Sequence, residues 1–129
     1  AHVALGAAME RALADLGVPS PQFAVLTMIV AYPGVSGADL ARLTFLTPQT
    51  INVIVRNLVR GGAVEKSADA THGRILRLNA TGRGEALLKR CRTRVMEVEG
   101  RIASLLNRDE ERLIRRWLSA VGEKLMEER

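Results

Sequence analysis

A single cysteine, Cys91, in 129 residues excludes an intrachain disulfide, and with only two histidines, His2 and His72, no metal-ligand cluster can be assembled. No bound metal is expected. No run of about 18 apolar residues occurs, which excludes a membrane-spanning helix and makes a membrane partner unexpected. The opening stretch AHVALGAAMERALADLG carries Glu10 and Asp15 where an export signal needs an unbroken apolar region behind a positive start, so a cytoplasmic location is expected. Catalytic constellations are missing as well. There is no glycine-rich phosphate loop after a strand, no Gly-x-Ser-x-Gly elbow and no histidine near a nucleophile, while Gly82 and Gly84 fall in a strand-to-helix joint. Neither catalytic residues nor a cofactor are expected.

What is present is 47% hydrophobic residues, enough to bury a core in one domain, or in one domain plus a dimerisation extension. The charge is unevenly placed. Residues 42–94 carry eleven basic side chains against Glu65, Asp69 and Glu85, a balance of +8, and the rest of the chain contributes −3 to the total of +5. Such concentration is the electrostatic footprint of a polyanionic partner, although a basic solvated face would give the same count.

Apolar residues at steps of three and four predict helices almost throughout. Leu5, Met9, Ala12, Leu13 and Leu16 make a first helix that stops at Gly17. After Pro19-Ser20-Pro21 a second helix places Phe23, Leu26, Ile29 and Val30 on its buried side and ends near Tyr32-Pro33-Gly34. Ser36 and Asp39 read as a capping pair opening a short third helix from Gly37 to about Leu43. Thr47 caps a fourth helix with Pro48 in its first position, where the missing amide costs nothing, and this helix runs to Gly61-Gly62. The period then changes. Residues 63–67 and 74–79 are short, partly alternating segments around a polar stretch, predicting a hairpin with a flexible tip. From Glu85 to about Leu106 a long helix returns, with Leu88, Cys91, Val95, Val98, Ile102 and Leu105 along one stripe. Asn107 and Glu110 open a last helix striped by Leu113, Ile114, Trp117, Leu118, Val121 and Leu125.

The fourth helix carries the chemistry. Ile51, Ile54, Val55 and Leu58 form its apolar stripe, so Gln49, Thr50, Asn52, Val53, Arg56, Asn57 and Arg60 cover the opposite side. That side has no acidic residue and offers amide, hydroxyl, methyl and guanidinium groups, the set that reads base edges and phosphates in a major groove. A merely polar helix face is the bland alternative. Against it stands the sequence of parts: a short helix, a turn, a second capped helix and a basic hairpin.

The stretch 19–84 resembles the MarR family of winged-helix transcription regulators. Leu58, Gly62, Val64 and Lys66 stand at the family's Leu-x-x-x-Gly-Leu-Val-x-Arg positions, and Leu78-Asn79-Ala80-Thr81-Gly82 stands at Leu-Thr-x-x-Gly, with Asn79 replacing the threonine as the expected cap. The fold this implies is mostly α with a small β-wing. Residues 1–18 would form a dimerisation helix, 19–79 a winged helix-turn-helix DNA-binding lobe, and 80–129 long C-terminal dimerisation helices. The resemblance further implies a homodimer on double-stranded DNA with a pseudo-palindromic operator, acting as a repressor, and a small organic effector held between the dimer and DNA-binding parts. At the wing tip the family commonly carries an Asp-x-Arg pair, whose places here are Ala70 and His72. The competing reading is a winged-helix protein-interaction module without specific DNA binding, which the basic middle of the chain opposes.

The expected DNA-binding residues are therefore Ser36, Thr47, Gln49, Thr50, Asn52, Val53, Arg56, Asn57, Arg60, Lys66, Arg74 and Arg77. Strand alternation sets Arg74, Leu76 and Leu78 against Ile75 and Arg77, and with Leu76 and Leu78 expected in the core, Arg74 is expected to reach out from the tip. Leu5, Met9 and Leu13 at one end and Ile114, Trp117, Val121 and Leu125 at the other are more apolar surface than one lobe covers, and are expected at a dimer interface.

Overall fold

The computed structural model describes residues 2–127, with side chains from residue 4 onward, so the outermost residues of the expected segments 1–18 and 80–129, at positions 1, 128 and 129, lie outside the described residues. The elements in order are α1 (His2–Ala14), α2 (Ser20–Ala31), α3 (Gly37–Thr44), α4 (Pro48–Arg60), β1 (Val64–Ala68), β2 (Leu76–Ala80), α5 (Gly82–Ala103) and α6 (Arg108–Glu127). They divide into two compact units, Ala1–Val95 and Met96–Arg129. This is a mostly helical chain with a winged helix-turn-helix lobe in its first unit.

Local rules set most of the boundaries in that lobe. The Ser36 hydroxyl accepts from the Asp39 amide at 3.2 Å, and the Asp39 carboxylate accepts from the Ser36 amide at 3.4 Å, so both orphan donors at the start of α3 are met. Phe45 ends α3 in the left-handed region, at φ 60°. The Thr47 hydroxyl then accepts from the Thr50 amide at 3.1 Å and α4 begins on Pro48. Leu26, Ile29, Leu40, Ile51 and Leu58 are each 1% exposed or less and join Val25, Val64, Leu78 and Leu88 in one core. Burying each large side chain contributes about 1.5–3 kcal/mol, and that packing seats α4 across α2 and α3.

Several expectations are corrected here. On α2, Phe23 and Val30 are only half-buried, while Val25, which was not expected inside, is fully buried. An apolar helix this uniform has no polar side to reveal which face turns inward. Leu13, expected at a dimer interface, is fully buried with Val18, Cys91 and Val95, and Met9 is half-buried against the same cluster. The first helix therefore packs part of its apolar stripe inside its own unit. Cys91 is fully buried there, and burial pushes its thiol pKa up against a weaker opposing pull from Arg90.

The hairpin begins and ends one to two residues later than its apolar pattern suggested. β1 and β2 pair antiparallel from Val64 with Ala80 to Ala68 with Leu76, leaving Arg74 and Ile75 in the tip. Leu78 is buried and forms a bridge to Val35, with its amide 2.9 Å from the Val35 carbonyl and its carbonyl 2.9 Å from the Gly34 amide. Leu76, expected in the core, is 47% exposed because it sits at the far end of the ladder, two residues beyond that bridge.

The cap of α5 is Thr81, and Asn79 instead pairs with Glu65 inside the ladder. The Thr81 hydroxyl accepts from the Gly84 amide at 3.0 Å and donates to the Gly62 carbonyl at 2.6 Å, while the Thr81 amide donates to the Ala63 carbonyl at 3.0 Å. This starts the helix three residues before Glu85. A Cβ on Gly84 would lie 2.0 Å from the Ala63 carbonyl oxygen, so the close approach of helix and hairpin requires glycine there.

In the second unit α5 ends at Ala103, short of Leu106, leaving Leu105 83% exposed and Ile102 46% exposed. Asn107 and Glu110 form a reciprocal cap on α6, at 2.8 and 3.0 Å. Among the described residues, no side chain of α6 is fully buried.

Candidate nucleic-acid interface

The buried stripe of α4 is Ile51, Ile54, Val55 and Leu58, which turns Gln49, Thr50, Asn52, Val53, Arg56, Asn57 and Arg60 to the exposed side. The helix is 13 residues long, or roughly 20 Å at 1.5 Å per residue, ample for a groove about 12 Å wide. Its capping hydroxyl leaves a directional donor at the leading end. Thr47 accepts from the Thr50 amide and gives its own proton to the Thr50 hydroxyl at 2.9 Å, which leaves the Thr50 proton to be donated outward. Val53 is 52% exposed, an apolar contact beside amide and guanidinium neighbours.

A cleft of about 460 Å³ lies between this helix, the start of α3 and the wing. Ile51, Val55 and Leu78 contribute apolar floor, Ser36 and Asn52 contribute polar groups, and Arg56, Lys66 and Arg74 bring three cations with no acidic residue among the lining side chains. An anion entering it meets uncompensated positive charge. Ser36, expected to contact DNA, lines this cleft with its hydroxyl engaged in the α3 cap. That cap holds the Asp39 carboxyl below its ordinary range, first through the Ser36 hydroxyl and then through the Ser36 amide.

The two wing arginines have different surroundings. Arg74 lines the cleft and, among the described residues, makes no ion pair or hydrogen bond. Arg77, also expected to contact DNA, is instead turned into the wing: its guanidinium reaches Asp69 at 2.6 and 2.8 Å and the Gly34 carbonyl at 3.4 Å. Its guanidinium is engaged within the lobe, unlike that of Arg74, while its side chain stays 38% exposed. Sequence reasoning counted Asp69 only as an acidic charge. Its carboxylate also accepts from the Thr71 amide at 2.7 Å and the His72 amide at 3.1 Å, a local turn signal that an aspartate before a polar stretch can announce. The Thr71 amide, then the Arg77 side chain and the His72 amide, hold its pKa down to about 2.

The residues expected at a dimer interface remain distributed. Leu5 on α1 is 46% exposed. On α6, Trp117 and Leu125 are well exposed, Ile114 is 40% exposed and Val121 is half-buried. Among the described residues, no group of three or more His, Cys, Asp or Glu side chains could hold a metal ion, and no helix is long and apolar enough to cross a membrane.

Comparison with known proteins agrees with this geometry. Residues 16–75 match the family model described as MarR family. The chain is 38% identical over 114 residues to the HTH-type transcriptional repressor Rv2887 of Mycobacterium tuberculosis, covering 88% of this chain and 82% of that one. A crystal structure of Rv2887 in complex with DNA superposes with a TM-score of 0.81 at 33% identity, covering 94% of this chain and 90% of the other. The complex of the same protein with p-aminosalicylic acid gives 0.79 at 34% identity, over 94% and 92%. A crystal structure of MarR itself gives 0.85 at 25% identity, over 94% and 88%. Likeness of this extent, in sequence across most of both chains and in the fold of the winged lobe, makes this chain a member of the MarR family.

Proposed function

We propose that the chain is a sequence-specific DNA-binding transcription regulator, acting as a repressor, that grips a pseudo-palindromic operator as a homodimer. The observation that carries this reading is the exposed side of α4, free of acidic residues and bordered by the cleft where Arg56, Lys66 and Arg74 converge. In this reading α4 lies in the major groove, with Gln49, Thr50, Asn52 and Arg56 at base edges and Val53 against a thymine methyl. Thr47, Asn57, Arg60 and Lys66 hold the flanking backbone, and Arg74 reaches it from the wing. The repressor sense is supported by the similar Mycobacterium tuberculosis protein, which is named as one and has been crystallised with DNA.

A second copy covers the apolar side chains of α6, where Ile114, Trp117 and Leu125 stand exposed, together with Leu5. With Leu13 buried inside its own unit, α6 supplies most of that interface. An effector in this reading is a small aromatic acid, a class supported by the relative's complexes with salicylic and p-aminosalicylic acid.

Arg56→Ala tests the base-reading assignment. It is expected to cost about 1–3 kcal/mol per half-site and to relax one position of the recognised sequence, read by titrating the variant against single-base operator variants. Equal weakening for every duplex would make Arg56 a phosphate contact instead.

A further inference from the structure

The wing offers two guanidiniums, and one carboxylate separates their fates. Asp69 has all its acceptor directions occupied within the wing: one oxygen takes the Thr71 and His72 amides, the other takes Arg77. Its side chain is only 14% exposed although it sits at a hairpin tip. The backbone closes around the same point, with the Asp69 amide 2.9 Å from the Ile75 carbonyl and the Ile75 amide 2.9 Å from the His72 carbonyl. Arg74 lies inside this closed loop, so the path of the loop determines where its side chain starts. Arg77, held by Asp69, also donates to the carbonyl of Gly34, a residue at φ 83° in the turn between α2 and α3. The tip is thereby tied to the base of the lobe on the side of the hairpin that Arg77 occupies.

We propose that Asp69 is a positioning residue for DNA binding: by holding Arg77 inside the wing and closing the tip turn, it makes Arg74 the wing's DNA-facing guanidinium. The proposal rests on the DNA-binding reading above and extends it to an acidic residue. Simple electrostatics has the opposite sign. An anionic side chain near a polyanion weakens binding, so removing its charge tightens the complex. Positioning predicts the reverse, because the tie that runs from the tip through Arg77 to the Gly34 carbonyl is lost and the tip no longer presents Arg74. Asparagine separates these effects, since its side-chain oxygen can still accept the two amides while it lacks the charge that holds Arg77.

The test uses the full chain and the duplex it enriches from a random pool, with affinity measured across a salt series. Asp69→Asn is expected to weaken binding about five- to tenfold, the range for contacts in one network, despite the added net positive charge. Arg77→Ala is expected to weaken binding without changing the slope of log affinity against log salt, and to add little once Asp69 is already asparagine. Arg74→Ala is expected to flatten that slope. Circular dichroism of each variant reports that the lobe is folded, and amide exchange at Thr71 and His72 reports the tip turn directly. Tighter binding by Asp69→Asn, or a slope flattened by Arg77→Ala and untouched by Arg74→Ala, overturns the proposal while leaving DNA binding intact. Failure of the unaltered chain to bind any duplex overturns the DNA-binding reading and this proposal with it.

Discussion

Affinity for the operator is expected to fall by about 10³–10⁵ between roughly 50 and 200 mM salt, the consequence of about 6–10 phosphate contacts shared by two copies. The contacts come from named places. Arg60, Lys66 and Arg74 are exposed around the α4 face, each a cation that a phosphate can pair with. Arg42 is a weaker candidate because Asp39 pairs with it. Each phosphate neutralised releases condensed counterions, so the contacts add in the slope of log affinity against log salt. Fluorescence anisotropy at four or more salt concentrations would measure the slope, and Arg74→Ala should flatten it by about one unit for each phosphate the guanidinium neutralises. A fall of less than about tenfold over the same range would mean that the basic middle of the chain is a solvated surface.

Gly84→Ala is expected to have the largest effect on stability of any single methyl added to the lobe. The new carbon would stand 2.0 Å from the Ala63 carbonyl oxygen and 2.9 Å from the carbonyl carbon, both backbone atoms. They cannot rotate aside. Ala63 is itself anchored, because its amide donates to the Leu58 carbonyl at the end of α4 and its carbonyl takes the Thr81 amide. Moving it disturbs α4, the hairpin and the start of α5 together, so a loss of about 3 kcal/mol or more is expected, at the upper end for overpacking. Gly82→Ala is the matched control. It meets nothing within 4 Å, and an exposed site of that kind should change stability by no more than about 0.5 kcal/mol. Urea unfolding of both variants followed by circular dichroism makes the comparison. Equal, small effects would show that the hairpin can shift without cost to the recognition helix.

What was legible in the sequence was local. Ser36 with Asp39, Thr47 before Pro48 and Asn107 with Glu110 are signals contained within four residues, and each cap is formed as read. The α4 stripe was legible because polar residues mark its other side, and the exposed face that defines the candidate site followed from it. The uniformly apolar α2 gave no such contrast, so Val25 was missed. Contacts between distant segments were not legible at all. Nothing near Thr81 announces that its hydroxyl reaches Gly62, nothing near Gly84 announces Ala63, and nothing near Leu13 announces Cys91 and Val95. The wing misled for the same reason. Alternation correctly separated Leu78 from Arg77, but only the bridge to Val35 decides how far along the strand the core extends, and it stops short of Leu76.

Selection of bound duplexes from a random DNA pool, using the unaltered full chain, tests the central claim most directly. Two α4 helices related by a two-fold axis should enrich an inverted repeat with about 10 bp between half-site centres, one helical turn apart. Enrichment of no sequence at all, or of a single asymmetric site with no inverted partner, would contradict the account.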